Sequence, residues 1–272
     1  MRKCFTIIAQ RPKEDILSFE EYLVKTKEFS GCEIFYPYNV STEQRKMYSE
    51  VITNFTKYDN FEIVLHMPYA SDSNIAINSK EIMKRQFDAI DFANNYGVKK
   101  LTLHPGFVTD GLTKDEALKI SIENTKALCD HAKKYGMVIM IENLVGSHEL
   151  CLNEDELLEY FKLVDKDNCK FILDCGHYNV ANHHKDLKDV VYKLKNYLVH
   201  LHLSNNYGLR DEHAPLDQGN IDFKVYFKYL CDINYKGLYC SEVLYKDYLD
   251  LLNTSKLIDK YNEEGNENEW NK

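Results

Sequence analysis

Short apolar runs alternate with longer amphipathic segments along most of the chain. The apolar runs are rich in β-branched and aromatic residues, which is typical of buried strands, and the segments between them carry apolar residues at helical spacing. The eight predicted strands cover residues 3–9, 32–38, 62–69, 100–106, 138–144, 170–177, 198–205 and 237–243. The predicted helices cover residues 18–29, 41–58, 79–96, 113–135, 153–164, 187–197, 223–233 and a last segment that ends near Tyr261.

This alternation predicts the fold class. Nearly continuous apolar strands joined by amphipathic helices indicate a parallel sheet that is covered on both faces. Eight strand and helix units favour a closed α/β fold, the (β/α)8 TIM barrel, over an open doubly wound sheet. No glycine motif of the dinucleotide-binding or P-loop type follows any predicted strand. We therefore expect a single domain over residues 1–262, followed by a frayed polar tail over residues 263–272.

The bulk composition fits this architecture and limits the function. The chain has 272 residues, close to the roughly 250 of a typical barrel domain. Its formal net charge of −9 argues against a generic nucleic-acid binder, although a local basic rim remains compatible with that charge. The eight cysteines show no CxxC spacing, so we expect reduced residues of a cytoplasmic protein. No apolar run has the length of a signal peptide core or a membrane span, and we expect no membrane association.

Ionisable side chains follow the carboxyl ends of six successive predicted strands. In a barrel these ends converge on one mouth, so the side chains are expected to meet. The nine residues are His66, His104, Glu142, Asp174, His177, His202, Asp211, His213 and Glu242. Without a cation, the four carboxylates would crowd one mouth of low dielectric constant, which is costly in repulsion and desolvation. The pattern therefore predicts a site for a divalent metal.

The residue types indicate how these ligands divide. Glu142, Asp174, His202 and Glu242 come from four consecutive strands and can surround one ion. The other five residues either complete a second and a third ion or form hydrogen bonds to the ligands and the substrate. Carboxylate oxygen and imidazole nitrogen without thiolate favour Zn²⁺ or Mn²⁺, and Mg²⁺ or Co²⁺ is compatible with the same set.

The motifs that carry these residues are LHMPY, LHPG, IEN, LDCGH, HLHLSNN, DEH with GNIDF, and SEV. As a set, spanning strand 3 to strand 8, they resemble the xylose-isomerase-like TIM barrel superfamily. That superfamily includes sugar and sugar-phosphate isomerases and epimerases, and also the family 2 apurinic endonucleases. The resemblance is specific for the superfamily and leaves the substrate open.

The two branches of the superfamily imply different reactions. Similarity to the epimerases implies one ion held by Glu142, Asp174, His202 and Glu242, with the two glutamates as acid and base. The corresponding chemistry is proton transfer beside a carbonyl group, through an enediolate. Similarity to the endonucleases implies three zinc ions held by all nine residues and in-line attack on a phosphodiester.

Departures from the endonuclease pattern favour the sugar reaction. That pattern has D-T-C-H after strand 6 and H-L-N-D after strand 7. This chain has Asp174-Cys175-Gly176-His177 and His202-Leu203-Ser204-Asn205 at those places. Around residues 10–12 and 36–39, where a duplex-binding enzyme is expected to carry basic groups, Arg11 is the one basic residue.

We therefore expect a metal-dependent isomerase or epimerase that acts on a sugar or sugar phosphate. Glu142 and Glu242 are the expected acid and base, His177 orients a substrate oxygen, and Arg210 and Tyr69 are candidate substrate contacts. A zinc-dependent apurinic endonuclease that acts on nucleic acid and a non-catalytic metal-binding or sugar-binding module are the alternatives. A homodimer is compatible with the barrel, but one sequence assigns no contact surface.

Overall fold

Eight parallel strands close into a barrel in a computed structural model that describes residues 1–7, 16, 18, 20–183 and 185–266. Each strand pairs with its neighbours in chain order, and β8 pairs with β1 to close the sheet. The strands are β1 Arg2–Ile7, β2 Gly31–Phe35, β3 Glu62–His66, β4 Lys100–Leu103, β5 Val138–Glu142, β6 Cys169–Asp174, β7 Leu198–Leu203 and β8 Leu238–Ser241. The predicted (β/α)8 fold is confirmed.

Helices cover the outside of the barrel. They are α1 Thr42–Phe55, α2 Lys80–Asn95, α3 Lys114–Lys133, α4 Glu154–Val164, α5 Cys175–Ala181, α6 Lys188–Leu194, α7 Phe223–Asp232 and α8 Tyr248–Asn266. The first predicted helix, over residues 18–29, lies partly outside the described residues, and its described part contains a π-helical turn at Glu20–Val24. The short helix α5 was not predicted, because LDCGH reads as the end of a strand.

Local sequence signals explain where several helices begin and end. Ser41 caps α1 and Thr113 caps α3, each in a reciprocal capping box with a Gln or Glu at the third helical position. Gly97 and Gly136 follow α2 and α3 with φ values of 71° and 65°, in the left-handed region that glycine adopts without strain. The helix stops predicted at these two glycines are confirmed.

The last helix continues beyond its predicted end near Tyr261. It reaches Asn266, because Tyr261 is stacked on Phe223 of α7 with ring centroids 5.7 Å apart and so ties this part of α8 to the barrel. Part of the polar tail predicted over residues 263–272 is therefore helical. Residues 267–272 lie outside the described residues, and the domain boundary at residue 262 stays a prediction.

The interior of the barrel has an apolar floor beneath a polar mouth. The floor is a cluster of inward-facing side chains from Cys4, Val64, Met140, Ile172, Leu238 and Cys240. Larger apolar residues on the outward faces of the strands pack against the helices in a separate core. Among the described helices, none combines the length and the apolar composition that a membrane crossing requires.

Candidate metal centre

The carboxyl ends of β3 to β8 bring all nine predicted ligands to one mouth of the barrel. Glu142 is the last residue of β5, and Glu242 directly follows β8. Asp174 ends β6 and also caps α5, because its Oδ1 accepts a hydrogen bond from the backbone N–H of His177 at 2.7 Å. This cap turns the chain so that His177 faces the same mouth.

Four residues form a central group around the Nδ1 atom of His202. Nδ1 lies 2.8 Å from Glu142 Oε1, 2.9 Å from Glu242 Oε2 and 3.8 Å from Asp174 Oδ2. One N–H cannot donate good hydrogen bonds to several carboxylates at once, whereas a cation placed among the four ligand atoms would satisfy all of them. The central group therefore has the donor set of a metal site.

Two outer groups flank the central one. In the first outer group, Glu142 Oε2 lies 3.5 Å from His66 Nε2 and 3.1 Å from His104 Nε2. In the second outer group, Asp211 Oδ2 lies 3.3 Å from His177 Nε2 and 2.7 Å from His213 Nε2. Within each group the ligand atoms are no more than 4.8 Å apart. Glu142 belongs to two groups, since its two carboxylate oxygens face different sets of histidines.

Buried oxygens without hydrogen bonds support cation binding at these groups. Glu142 Oε2, Asp174 Oδ2, Asp211 Oδ1 and Glu242 Oε2 are buried and accept no hydrogen bond of good geometry from the described residues. A buried carboxylate oxygen left in this state is costly unless a cation completes its coordination. The residues present therefore fit divalent ions at the mouth.

The pKa values of the central group also show that its carboxylates lack a compensating positive charge. Burial raises the pKa of Asp174 to about 7, and the nearby charges of Glu242 and Glu142 add to the increase. Burial alone would lower the pKa of His202, but the carboxylates of Glu242, Glu33 and Glu142 raise it well above its usual range. Without an ion, the group therefore retains protons that a bound metal would displace.

The second outer group behaves in a similar way. Burial opposes ionisation of Asp211, but its hydrogen bonds to His177 and His213 hold its pKa well below the usual range. Burial alone would lower the pKa of His213, but the hydrogen bond to Asp211 and the charge of Glu242 raise it to about 9. Positive charge is favoured at this position whether a proton or a metal ion supplies it.

Backbone carbonyls orient three of the histidines. The Nδ1 atoms of His66, His177 and His213 lie 2.9, 3.0 and 2.9 Å from the backbone oxygens of Met67, Asn143 and Glu242, respectively. Because a carbonyl only accepts hydrogen bonds, each Nδ1 carries a proton, and Nε2 is the nitrogen that can offer a lone pair to a metal ion in its group. The backbone itself therefore fixes these rings as ligands.

Sequence reasoning missed the polar layer immediately below the mouth. Glu33 on β2 accepts hydrogen bonds from His200, His202 and Thr102, and all four side chains are buried. Glu33 was read as part of a strand only, although an acidic residue inside the short buried run CEIF was a usable signal. Cys4 and Cys240 also approach His200, in the floor beneath this layer.

A cavity of about 290 Å³ opens directly above the ligands. Tyr69, a predicted substrate contact, lines it, and its ring lies 5.0 Å from His66 and 5.2 Å from His104. Arg210, the other predicted contact, is 80% exposed, and its Nε lies 3.1 Å from Glu212 Oε1. No lysine or arginine occurs among the described residues that line the cavity. A role for Arg210 in substrate binding stays a prediction.

The comparison with protein families agrees with this geometry. The model of the family described as xylose isomerase-like TIM barrel matches residues 22–264. The chain belongs to this family. The predicted superfamily is therefore confirmed.

Several proteins are similar to this xylose isomerase-like barrel in sequence or in structure. An uncharacterized protein of Methanocaldococcus jannaschii is 28% identical over 213 residues, which cover 76% of this chain and 72% of the relative. A probable endonuclease 4 of Mesomycoplasma hyopneumoniae strain J is 28% identical over 206 residues, 70% of this chain and 71% of the relative. The crystal structure of a D-tagatose 3-epimerase-like protein superposes with a TM-score of 0.84 at 24% identity, covering 98% of this chain and 99% of the other. The superposition shows the fold alone, so the reaction has to be argued from the site.

Proposed function

We propose that the chain is a metal-dependent enzyme that holds up to three divalent ions at the barrel mouth and hydrolyses the phosphoester of a small molecule. The observation that supports this is the division of nine ligands into three groups that meet at one cavity, two of them sharing Glu142. A single-ion epimerase needs only the central group. The two outer groups favour a polynuclear centre, which is typical of enzymes that cleave phosphoesters.

The ligand atoms favour Zn²⁺ or Mn²⁺ in this centre, since all of them are imidazole nitrogens or carboxylate oxygens. When bound, such ions would stabilise the negative charge that develops on the phosphoryl oxygens. The chain itself holds the ligand atoms rigidly, through the cap at Asp174 and the backbone bonds to His66, His177 and His213. Tyr69 stands at the rim, where its half-exposed side chain can contact a substrate.

A small substrate fits the site better than duplex DNA. The cavity of about 290 Å³ is at the lower end of the range for small-molecule pockets. Its described lining carries no lysine or arginine, and the chain has a net charge of −9. Phosphate contacts to a duplex depend on such basic groups. A sugar phosphate therefore fits the proposal, with ions in the three groups supplying the positive charge.

The turn after β6 also differs from the endonuclease pattern. A Cβ atom at Gly176 would lie 2.6 Å from Ser204 Oγ and 3.2 Å from Asn206 Nδ2. The cysteine that the endonuclease pattern has at this position would therefore require Ser204 to move. The packing around Asp174 and His177 therefore differs from that of the endonuclease pattern at this position.

Sugar epimerisation is the second candidate. The observation that favours it is the close approach of Glu142 and Glu242 to the same His202 atom, at 2.8 and 2.9 Å, because an epimerase of this type needs two carboxylates at one central ion. In that reaction one glutamate would remove a proton from the carbon beside the carbonyl, and a glutamate would return it. His177 would orient a substrate oxygen, as expected from the sequence.

Metal analysis combined with two assays distinguishes the candidates. The protein is loaded with Zn²⁺ or Mn²⁺, freed of excess metal, and analysed for bound ions and for phosphate release from sugar phosphates and p-nitrophenyl phosphate. We expect about three ions per chain and phosphate release that is lost in Glu242→Gln. About one ion per chain, with deuterium exchange from heavy water into a ketose, would favour the epimerase. Efficient incision of an abasic-site oligonucleotide would contradict the small-molecule substrate.

A further inference from the structure

A buried carboxylate lies directly beneath the central group. Glu33 Oε2 accepts a hydrogen bond from His202 Nε2 at 2.9 Å and from His200 Nε2 at 3.0 Å. Glu33 Oε1 accepts a hydrogen bond from Thr102 Oγ1 at 2.6 Å. The Glu33 side chain is fully buried and spans the barrel interior from β2 to β4 and β7. Glu33 is not among the described residues that line the cavity above the ligands, so it is not placed to contact a substrate there.

His202 faces its metal group with the opposite ring nitrogen from the outer histidines. His66, His177 and His213 hold a proton on Nδ1 for a backbone oxygen and direct Nε2 to their groups. His202 directs Nδ1 to Glu142 and Glu242 and holds a proton on Nε2 for Glu33. Of these four rings, His202 is therefore the one whose tautomer depends on a side chain.

We infer that Glu33 is a positioning residue that sets the tautomer and the ring plane of His202, and thereby makes the central ion the most tightly bound. The inference rests on the proposed metal centre. A carboxylate that accepts the second N–H of a ligating histidine fixes the ring and increases the electron density at the ligating nitrogen. A backbone carbonyl fixes a ring too, but it carries no charge. The central group is thus supported by an anion, and the three outer histidines named above are not.

The surroundings of Glu33 keep it in this position. His200 and Thr102 hold its two oxygens from β7 and β4, so the carboxylate cannot turn away from His202 without losing two other hydrogen bonds. Below them, the apolar floor around Cys4 and Cys240 excludes water. A charge that is costly to bury is retained here because it serves a neighbouring ligand.

The first test is a zinc titration of the Glu33→Gln variant. Glutamine preserves the shape and one hydrogen-bond acceptor but removes the charge. Competition between the metal-free protein and a chromophoric chelator should show one zinc site weakened about 10- to 100-fold, with the other sites unchanged. Equal weakening of all sites, or no weakening, would overturn the inference. The titration measures metal affinity alone, so it is informative even if the proposed reaction is wrong.

Glu154→Gln is the matched control. Glu154 is also a buried carboxylate, and it accepts a hydrogen bond from Tyr178 Oη at 2.7 Å and contacts Lys185 and Lys193, but it belongs to none of the three groups. We expect this variant to lose thermal stability while it retains all zinc affinities. A matching loss of affinity in Glu154→Gln would show that the effect at Glu33 is a general consequence of changing a buried charge.

The second test uses the wild-type protein and does not depend on any variant folding. Nitrogen-15 NMR of the zinc-loaded protein, with labelled histidine, distinguishes rings that are protonated on Nδ1 from rings that are protonated on Nε2. We expect His202 to be protonated on Nε2 and bound through Nδ1, with His66, His177 and His213 in the opposite form. The same tautomer in all four rings would contradict the inference.

Discussion

The floor and the mouth of the barrel are built on the same strands, and in four places a floor residue stands two positions before a metal ligand. The pairs are Val64 and His66, Met140 and Glu142, Ile172 and Asp174, and Cys240 and Glu242. Two residues of strand rise about 6.6 Å and return to the same face of the sheet. Within that distance the interior changes from apolar packing to ionisable ligands.

This difference separates the part of the barrel that supplies stability from the part that supplies chemistry. Floor residues are buried among apolar side chains, and their removal leaves a cavity. Mouth residues are buried among carboxylates and histidines, and the carboxylates oppose folding unless protons or cations compensate them. A substitution in one layer should therefore have little effect on the property that the other layer controls.

The largest effect is expected for Glu142→Gln at the mouth. Glu142 belongs to two groups, so its replacement should reduce bound zinc by more than one ion and lower turnover on the order of 10³-fold, as for the loss of a main electrostatic stabiliser. The metal-free variant should lose some stability. Burial opposes the ionisation of Glu142, but its contacts with His202, His104 and His66 hold its pKa well below the usual range, and these contacts are lost. Urea denaturation and metal analysis measure both properties. A large loss of stability without loss of metal would break the comparison.

A smaller but clear effect is expected for Met140→Ala in the floor. Met140 is fully buried in the floor cluster, and its truncation should lower the free energy of unfolding by about 2–4 kcal/mol. Zinc content and affinity should stay as in the wild type, because no ligand is touched. Ile172→Val is the graded control, with an expected loss of about 1 kcal/mol. Altered zinc stoichiometry in either variant would show that the layers are coupled.

The smallest effect is expected from pH acting on the metal-free protein. The pKa of Asp174 is raised to about 7 and that of His213 to about 9. A group whose pKa is higher in the folded than in the unfolded protein favours folding when it is protonated. The contribution of Asp174 and of His213 is therefore complete below the unfolded pKa and is lost as the pH rises to the folded pKa. The free energy of unfolding without metal should therefore fall from about pH 4 to about pH 9, with Asp174 acting up to about pH 7 and His213 from about pH 6.5 upward.

Zinc affinity is expected to have the opposite pH dependence. Metal binding displaces the same protons, so zinc affinity should rise as pH rises over that interval. Urea denaturation with and without a chelator, at several pH values, measures both trends. Metal-free stability that increases with pH would contradict the assignment of the shifted groups. The lowered pKa values of Glu142 and Glu242 act in the opposite direction, but only at acid pH.

The sequence predicted the barrel and its nine ligands because both depend on regular spacing. Alternating strands and helices specify the closed sheet, and the closed sheet brings residues at the carboxyl ends of strands together. The acidic residue Glu33 stands out within CEIF, but its partners could not be predicted, since His200, His202 and Thr102 come from strands on other sides of the barrel. The reversed ring of His202 was equally inaccessible, because a tautomer depends on the partner of the second nitrogen.

The central group was predicted from the sequence, but the division of the other five ligands into two outer groups required the structure. Asp211 and His213 lie in the loop after β7, and only the fold shows that they join His177 from the turn after β6. The sequence left these residues open as ligands or as hydrogen-bond partners. Their grouping is the reason we propose phosphoester hydrolysis in place of the epimerisation expected from the sequence.

The central group draws its members from β5, β6 and β7 and from the residue that follows β8. During synthesis, Glu142, Asp174 and His202 leave the ribosome well before Glu242 does. All four ligands are therefore in place only after β8 has been synthesised and has paired with β1. An ion at the central group would therefore find its full set of ligands only at this last step, and it would then link the end of β8 to β5, β6 and β7.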